Sequence, residues 1–373
     1  MLSLPATENP FKFGTVVDGS FFTDRTEELP RVQQMLSGHN HLALISPRRY
    51  GKTSLVRKAI LQTGRPAIFI NVQMAMSAGK LAELLLKSFF AIHPWERIKD
   101  AFRKFRIIPK FSFDPETGQM EIFLDAAFKG QAALEDVLNL INEKSDPSNR
   151  LIVVLDEFQE IANLEVGTDK LLRAVMQLHD NINYLFLGSE ESMMTAIFED
   201  IKSPFFHFGA LMHLGRIPYE DFFTFLIDRL TGIRAQKAQE DVRAILALTK
   251  CHPFYTQQLA SVFWNLCARV GDKATVEDAA NEIMRNLSMT YTTLWSRLNI
   301  TNRRVLETLA RGSKLQDIRE LPASTLYSAA ARMKKEGLLV RETDYELEDP
   351  FFALWIRRSI QEAALGLTSR KEM

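Results

Sequence analysis

The sequence predicts an α/β protein: a parallel sheet clad in helices, then a helical segment, then a small helix-and-hairpin segment. Three observations predict it. Short apolar runs alternate with helical stretches in the first part of the chain, the pattern of strands buried on both faces. Beyond Pro218 the apolar period becomes helical throughout. After Arg297 three short helical stretches precede two strand-like runs, the order of a winged helix. The expected domains are therefore 1–217, 218–296 and 297–373.

The strands are read first. His41–Ser46 (HLALIS), Ala67–Val72 (AIFINV), Leu151–Leu155 (LIVVL) and Tyr184–Leu187 (YLFL) are short apolar runs, and each reads as a buried strand. Thr53–Leu61 and Leu81–Phe90 read as helices between them. Lys104–Leu124 alternates apolar and polar residues about Asp114–Gly118, which reads as an inserted β-hairpin. That hairpin is either a contact arm or an element packed on the core. In the helical segment, Tyr219–Leu230, Ala238–Leu248 and Phe254–Val270 are amphipathic, with Gly232 and Gly271–Asp272 as punctuation. At the C-terminal end Thr301–Ala310, Leu315–Glu320 and Ser324–Lys335 read as helices. Leu338–Arg341 and Tyr345–Glu348 read as strands about the turn Glu342–Asp344.

Composition narrows the function. The 373 residues carry 46 basic and 46 acidic side chains, a formal net charge of zero. That balance argues against a constitutive polyanion binder, although a local basic patch remains compatible with it. Cys251 and Cys267 make neither a disulfide framework nor a zinc site; both read as small buried hydrophobes in helical sequence. Met1–Pro10 lacks a basic stretch followed by an apolar one, so no signal peptide is read. No apolar run reaches about 18 residues, so no membrane span is expected, and a cytoplasmic location follows.

The chemistry is concentrated in two places. Ser46-Pro47-Arg48-Arg49-Tyr50-Gly51-Lys52-Thr53, followed by Ser54, fits the pattern G-x-x-x-x-G-K-[ST] except at its first residue. In such a loop the backbone N–H groups wrap phosphates at a helix N-terminus. Lys52 would reach the β- and γ-phosphates, and Thr53 would give its hydroxyl to Mg²⁺. Serine has less backbone freedom than the usual glycine, which predicts a differently shaped start to the loop. The second place is Leu151–Glu157 (LIVVLDE), a buried strand ending in two acids. Burying carboxylates is costly without a cation, so Asp156 is expected to orient the Mg²⁺ shell and Glu157 to polarise the attacking water. Ser189, after the next apolar strand, reads as a γ-phosphate sensor or as an ordinary turn residue.

These residues resemble the P-loop ATPases of the AAA+/STAND group, in particular the archaeal-type ATPase family also found in bacteria. Asn9-Pro10-Phe11, Phe21–Glu28, Ser46–Ser54, Leu151–Glu157, Gly188–Ser189, Cys251–Tyr255 and Tyr345–Trp355 carry the resemblance. It implies a P-loop NTPase core with a helical lid and a C-terminal winged helix, and ATP with Mg²⁺ as cofactors. It also implies that Pro10, Phe11 and Arg25 contact base and ribose, and that His252 and Pro253 face the nucleotide from the lid. Asp24 stands where the family commonly has glycine, and Thr23 or Asp24 could equally cap a helix. Cys251-His252-Pro253 lacks the glycine of the lid's G-x-P motif. The G-R arginine that follows the sensor strand in such ATPases is missing from Pro204-Phe205-Phe206-His207, which implies slow turnover. Arg48, Arg49 and Arg173 are the candidate substitutes.

Three functions are compatible with this reading. The first is an ATP-dependent, slowly hydrolysing switch that couples nucleotide to the winged helix and an unidentified protein partner. The second is a DNA-binding ATPase resembling the archaeal origin-recognition proteins. Arg297–Arg341 holds ten Lys/Arg against four Asp/Glu, but Glu342–Asp349 adds five acids at the wing, where they would repel phosphate. The third is a pseudo-enzyme holding ATP as a structural ligand, against which the Asp156–Glu157 pair argues. An oligomer is compatible with all three.

Overall fold

All four apolar runs become strands, and a fifth joins them at the edge of the same sheet. The computed structural model describes residues 8–23, 25–93, 109–113, 120–124, 130–234 and 236–364. They fall into two units. One is Arg25–Gly215; the other comprises the described residues of Met1–Asp24 and Arg216–Met373.

The first unit begins with α1 (Glu28–Ser37), β1 (Leu42–Ile45), α2 (Lys52–Thr63), β2 (Ala67–Asn71) and α3 (Ala78–Ile92). It continues with β3 (Pro109–Phe113), β4 (Met120–Leu124), α4 (Gly130–Lys144), β5 (Leu151–Asp156) and α5 (Thr168–Met176). It closes with β6 (Ile182–Gly188), α6 (Glu191–Phe198) and β7 (Ala210–His213). The sheet order is β2-β5-β6-β1-β7, parallel throughout. β1 and β6 are buried at every residue, which is why their sequences are continuously apolar rather than alternating. β3 and β4 pair antiparallel, Pro109 opposite Leu124, as the alternation predicts; the turn Asp114–Gly118 lies outside the described residues. Thr23 does not cap α1. The helix starts at Glu28 behind Glu27, which makes no side-chain cap bond; Asp24 is outside the described residues. The chain first turns inward to bury Arg25, and only then becomes helical.

One buried polar cluster in this unit sets a pH limit. His41 Nδ1 accepts the backbone N–H of Tyr184 at 3.2 Å. His179 Nδ1 is 2.7 Å from the Tyr184 hydroxyl and Nε2 is 3.1 Å from Asn139 Oδ1. Burial lowers both imidazoles to a pKa of about 4, with Arg150 and Arg173 adding to the effect on His41. Below about pH 6.5 the unfolded chain binds protons that the folded chain refuses until about pH 4. Stability is therefore full above pH 6.5 and lost as the pH falls to 4. At about 1.4 kcal/mol per pH unit per ring, with their mutual coupling discounted, the loss is on the order of 4 kcal/mol. Urea unfolding between pH 7 and 4.5 should show it, and the double variant His41→Gln/His179→Gln should flatten the slope. Equal slopes in parent and variant would assign the acid sensitivity to other groups.

The second unit is helical: α7 (Tyr219–Arg234), α8 (Ala238–Thr249), α9 (Pro253–Val270) and α10 (Val276–Ser296). Next come α11 (Ile300–Ala310), α12 (Ala323–Lys335), the strands β8 (Leu339–Arg341) and β9 (Tyr345–Leu347), and α13 (Pro350–Ala364). One apolar core runs from Phe222 and Phe263 through Val305 and Leu326 to Phe351, so the helical segment and the helix–hairpin segment share it. The stretch Leu315–Glu320 is shorter than expected, a single 3₁₀ turn over Leu315–Asp317. α10 and α13 extend the expected set. Cys267 is buried in α9, but Cys251 is half-buried in the bend before it, not helical.

Among the described residues no helix is long and apolar enough to cross a membrane.

Candidate nucleotide site

The loop after β1 turns on two left-handed residues, Arg49 (φ 68°) and Gly51 (φ 84°). Ser46 is not one of them, so serine costs nothing at the position where the motif usually has glycine. Its N–H instead donates to the carbonyl of Gly188 on β6 at 3.2 Å, tying the loop to the neighbouring strand. Gly188 itself must lack a side chain: a Cβ there would lie 2.2 Å from Met194 Cγ. Gly51 then caps α2, which begins at Lys52. The N–H groups of that helix start stand just beyond the C-terminal end of β1, where an open parallel sheet binds ligands.

Lys52 is 6% exposed and folds back onto its own loop, donating to the carbonyls of Ser46 (2.9 Å) and Pro47 (3.1 Å). Burial lowers its pKa to about 8, against the opposing charges of Glu157 and Asp156. Thr53 Oγ1 donates to Asp156 Oδ2 at 3.0 Å, so the last residue of β5 meets the first turn of α2. Burial raises the Asp156 pKa, and the charge of Glu157 adds to it; the Thr53 bond opposes both. A hydroxyl and a carboxylate at this separation are the hard oxygen donors that Mg²⁺ takes alongside phosphate oxygens and water. The residues present therefore fit the expected cation.

Glu157 has a left-handed backbone (φ 52°), a costly conformation for a residue with a Cβ. Its Oε2 accepts from Ser189 Oγ and from Gln159 Nε2, each at 2.6 Å. Ser189 Oγ also accepts from Arg48 Nε at 3.4 Å. Burial works to raise the Glu157 pKa, but the bonds from Ser189 and Gln159 and the charges of Lys52 and Arg48 outweigh it. The carboxylate is thus held ionised. Loop, strand ends and Ser189 converge as the sequence predicts.

Gln159 was not among the expected residues. It is 1% exposed, and its Oε1 has no hydrogen-bond partner. The available signal was its place two residues after Glu157, in the turn that follows the acidic strand end.

The other expected residues have partners within their own units. Arg25 is 2% exposed and donates to Glu28 Oε1 (2.8 Å), the Tyr50 carbonyl (2.9 Å) and the Gly215 carbonyl (3.1 Å). Through these bonds it braces the back of the phosphate loop. Pro10, Phe11, His252 and Pro253 belong to the second unit. Phe11 is buried edge-on against Phe225 and Trp264. Asn9 fastens this stretch to α9 through Ser261 and Asn265. His252 is 1% exposed; Nδ1 caps α9 by accepting from Phe254 and Tyr255, and Nε2 meets Glu348 Oε1 at 2.9 Å. These bonds fix both ring nitrogens of the histidine within its own unit. Pro253 opens α9 as expected. Cys251 has φ 59°, the left-handed conformation that explains why this bend favours glycine.

No protein family matches the chain by sequence. No curated protein matches it either. Solved structures do. The Walker-type ATPase PABY2304 of Pyrococcus abyssi superposes with a TM-score of 0.62 at 20% identity, covering 90% of this chain and 96% of that one. The Aeropyrum pernix ORC2 protein, solved with ADPNP and ADP, gives 0.51 at 15% identity, covering 95% and 99%. The chain has the P-loop NTPase fold. At these identities the likeness establishes architecture, and the chemistry rests on the side chains just described.

Proposed function

We propose that this chain is an ATP-binding, slowly hydrolysing switch of the AAA+/STAND kind, coupling nucleotide state to its winged helix. One observation carries the nucleotide reading: Lys52 and Thr53 at the start of α2 share a cluster with Asp156, Glu157 and Ser189. Bound Mg²⁺ would neutralise phosphate charge as the terminal phosphoryl group leaves. Lys52 would exchange its two carbonyl partners for phosphate oxygens. Glu157 would orient the attacking water and take its proton.

The coupling reading rests on two neighbouring residues. Gly215 is the last residue of the first unit, and its carbonyl shares Arg25 with the phosphate-loop carbonyl of Tyr50. Arg216 is the first of the returning second unit and grips the wing, Nε 3.3 Å from Glu342 and Nη2 3.2 Å from Glu346. Lys250 joins Glu346 at 2.9 Å. A shift of the loop on binding phosphate has a covalent route from Arg25 through Gly215 to Arg216 and the wing. Small-angle scattering on apo, ADP and non-hydrolysable ATP states should give a more compact ATP form. Arg216→Ala should shrink the difference between states. Identical profiles in all three states of the parent would sink the switch.

One observation favours direct DNA binding as a second reading. The wing acids are paired within the second unit: Glu342 and Glu346 with Arg216 and Lys250, Asp344 with Lys314, Glu348 with His252. Their repulsion is thereby reduced, while α12 exposes Ser324, Thr325, Tyr327, Ser328, Arg332 and Lys335. Duplex binding that strengthens as salt falls, and changes with ATP, would support this reading; no binding at low salt would remove it.

A further inference from the structure

An ATPase of this fold needs positive charge where the γ-phosphoryl group is transferred, and the stretch Pro204–His207 contains no arginine. The arginines of the first unit differ in what they reach. Arg173 lies over the ring of Phe208, 4.3 Å from its centroid, and Nη1 donates to Gln177 at 2.7 Å. Arg65 is fastened at the other end of the sheet, on the Arg150 carbonyl and Asn183. Arg48 is placed differently. Its Nε reaches Ser189 Oγ, and the same hydroxyl donates to Glu157 Oε2. A chain of polar contacts thus runs from the phosphate loop through the strand-end serine to the base.

We propose that Arg48, supplied from inside the phosphate loop of the same chain, is the arginine that stabilises the transferred γ-phosphoryl group. The inference rests on the ATPase reading above and names a residue for it. Three features support it. The Arg48 side chain is exposed, so its guanidinium can swing toward a ligand. Its contact with Ser189, at 3.4 Å, is at the long end for a hydrogen bond and costs little to release. The charge of Arg48 also acts on both Lys52 and Glu157, which places the guanidinium within electrostatic reach of the phosphate lysine and of the base.

In the reaction the water oxygen bonds to the γ-phosphorus and the bond from that phosphorus to the β–γ bridging oxygen breaks. The electron pair leaves with ADP, and the water proton passes to Glu157 and on to the released phosphate. Arg48 donates to the equatorial oxygens as their charge grows, which needs no partner subunit.

The full chain tests this with Mg-ATP turnover, nucleotide affinity, and affinity for ADP–fluoroaluminate as a transition-state probe. Arg48→Ala should lower kcat by about 1,000-fold or more, the lower end of the range for arginines of this role, with ATP Kd changed less than about threefold. Arg48→Lys should recover only part of the loss, because the ammonium lacks the planar fork. Parental specific activity should be independent of protein concentration. Mixing Arg48→Ala with Lys52→Ala chains should restore nothing. An Arg48→Ala chain turning over within threefold of the parent would overturn the proposal, as would activity regained in the mixture. A parent that binds ATP without hydrolysing it would instead overturn the ATPase reading. In that case fluoroaluminate decides: equal affinity in parent and Arg48→Ala overturns the role of Arg48, and selective loss in the variant upholds it.

Discussion

Replacing Glu157 by Gln is expected to leave ATP bound and to stop its hydrolysis. The amide matches the carboxylate in size, and its carbonyl can still accept the bonds that Ser189 and Gln159 now make to Oε2. The left-handed backbone at 157 can be kept, so the strand end is undisturbed. What is lost is the ability to take a proton from water. General-base removal typically costs about 10²–10⁴ in rate, and a fall of at least about 100-fold in kcat is the expected result. ATP affinity should change little, because Lys52, Thr53 and the loop N–H groups are intact. Phosphate release and calorimetry on the same preparation separate the two. A variant turning over at the parental rate would move the base to another residue. The two donors on Oε2 bear on the parental rate as well. They hold the carboxylate below its ordinary pKa, which makes it a weaker base, in keeping with slow turnover.

How much of this was legible in sequence follows from the range of the interactions. β1, β5 and β6 lie inside the sheet and are buried at nearly every residue, so their burial is written as uninterrupted apolar runs, whereas β2, at one edge, buries only Ile68 and Ile70. β7 is an edge strand of four residues with only Met212 fully buried, and nothing local marks Ala210–His213 as a strand. The phosphate loop and the Asp156–Glu157 pair are legible as local residue patterns, although the partners that tune them, Thr53 and Ser189, are 103 and 32 residues away. Arg25 is another matter. Its neighbours in sequence suggested a ligand contact, yet its partners are the carbonyls of Tyr50 and Gly215, 25 and 190 residues away. His252 was likewise ambiguous, because its pairing with Glu348 spans 96 residues. The wing acids showed as an unfavourable charge run, and their compensation by Arg216 and Lys250 appears only once the chain has folded.

Replacing Lys52 by Ala should abolish ATP binding while the sheet still forms. The ammonium is buried where α2 begins and is shared by the carbonyls of Ser46 and Pro47. These acceptors can take water once the side chain is gone, so the loop loses a brace but no apolar packing. The acids feel the change more. Asp156 and Glu157 each have Lys52 among the charges favouring their ionised forms. Without it they repel each other unscreened, and the raised pKa of Asp156 should rise further. An arriving triphosphate would then meet two carboxylates with no buried ammonium between them, and Arg48, whose side chain is exposed, does not take that position. A loss of at least about 100-fold in affinity, roughly 3 kcal/mol, is expected for Mg-ATP. Calorimetry should be paired with thermal unfolding of the nucleotide-free chain, which should move only slightly. Lys52→Gln keeps the length of most of the side chain and should bind as poorly, because the missing element is charge. Unchanged ATP affinity in a folded Lys52→Ala chain would mean that the loop Ser46–Ser54 does not hold phosphate, and the nucleotide reading of the site would go with it.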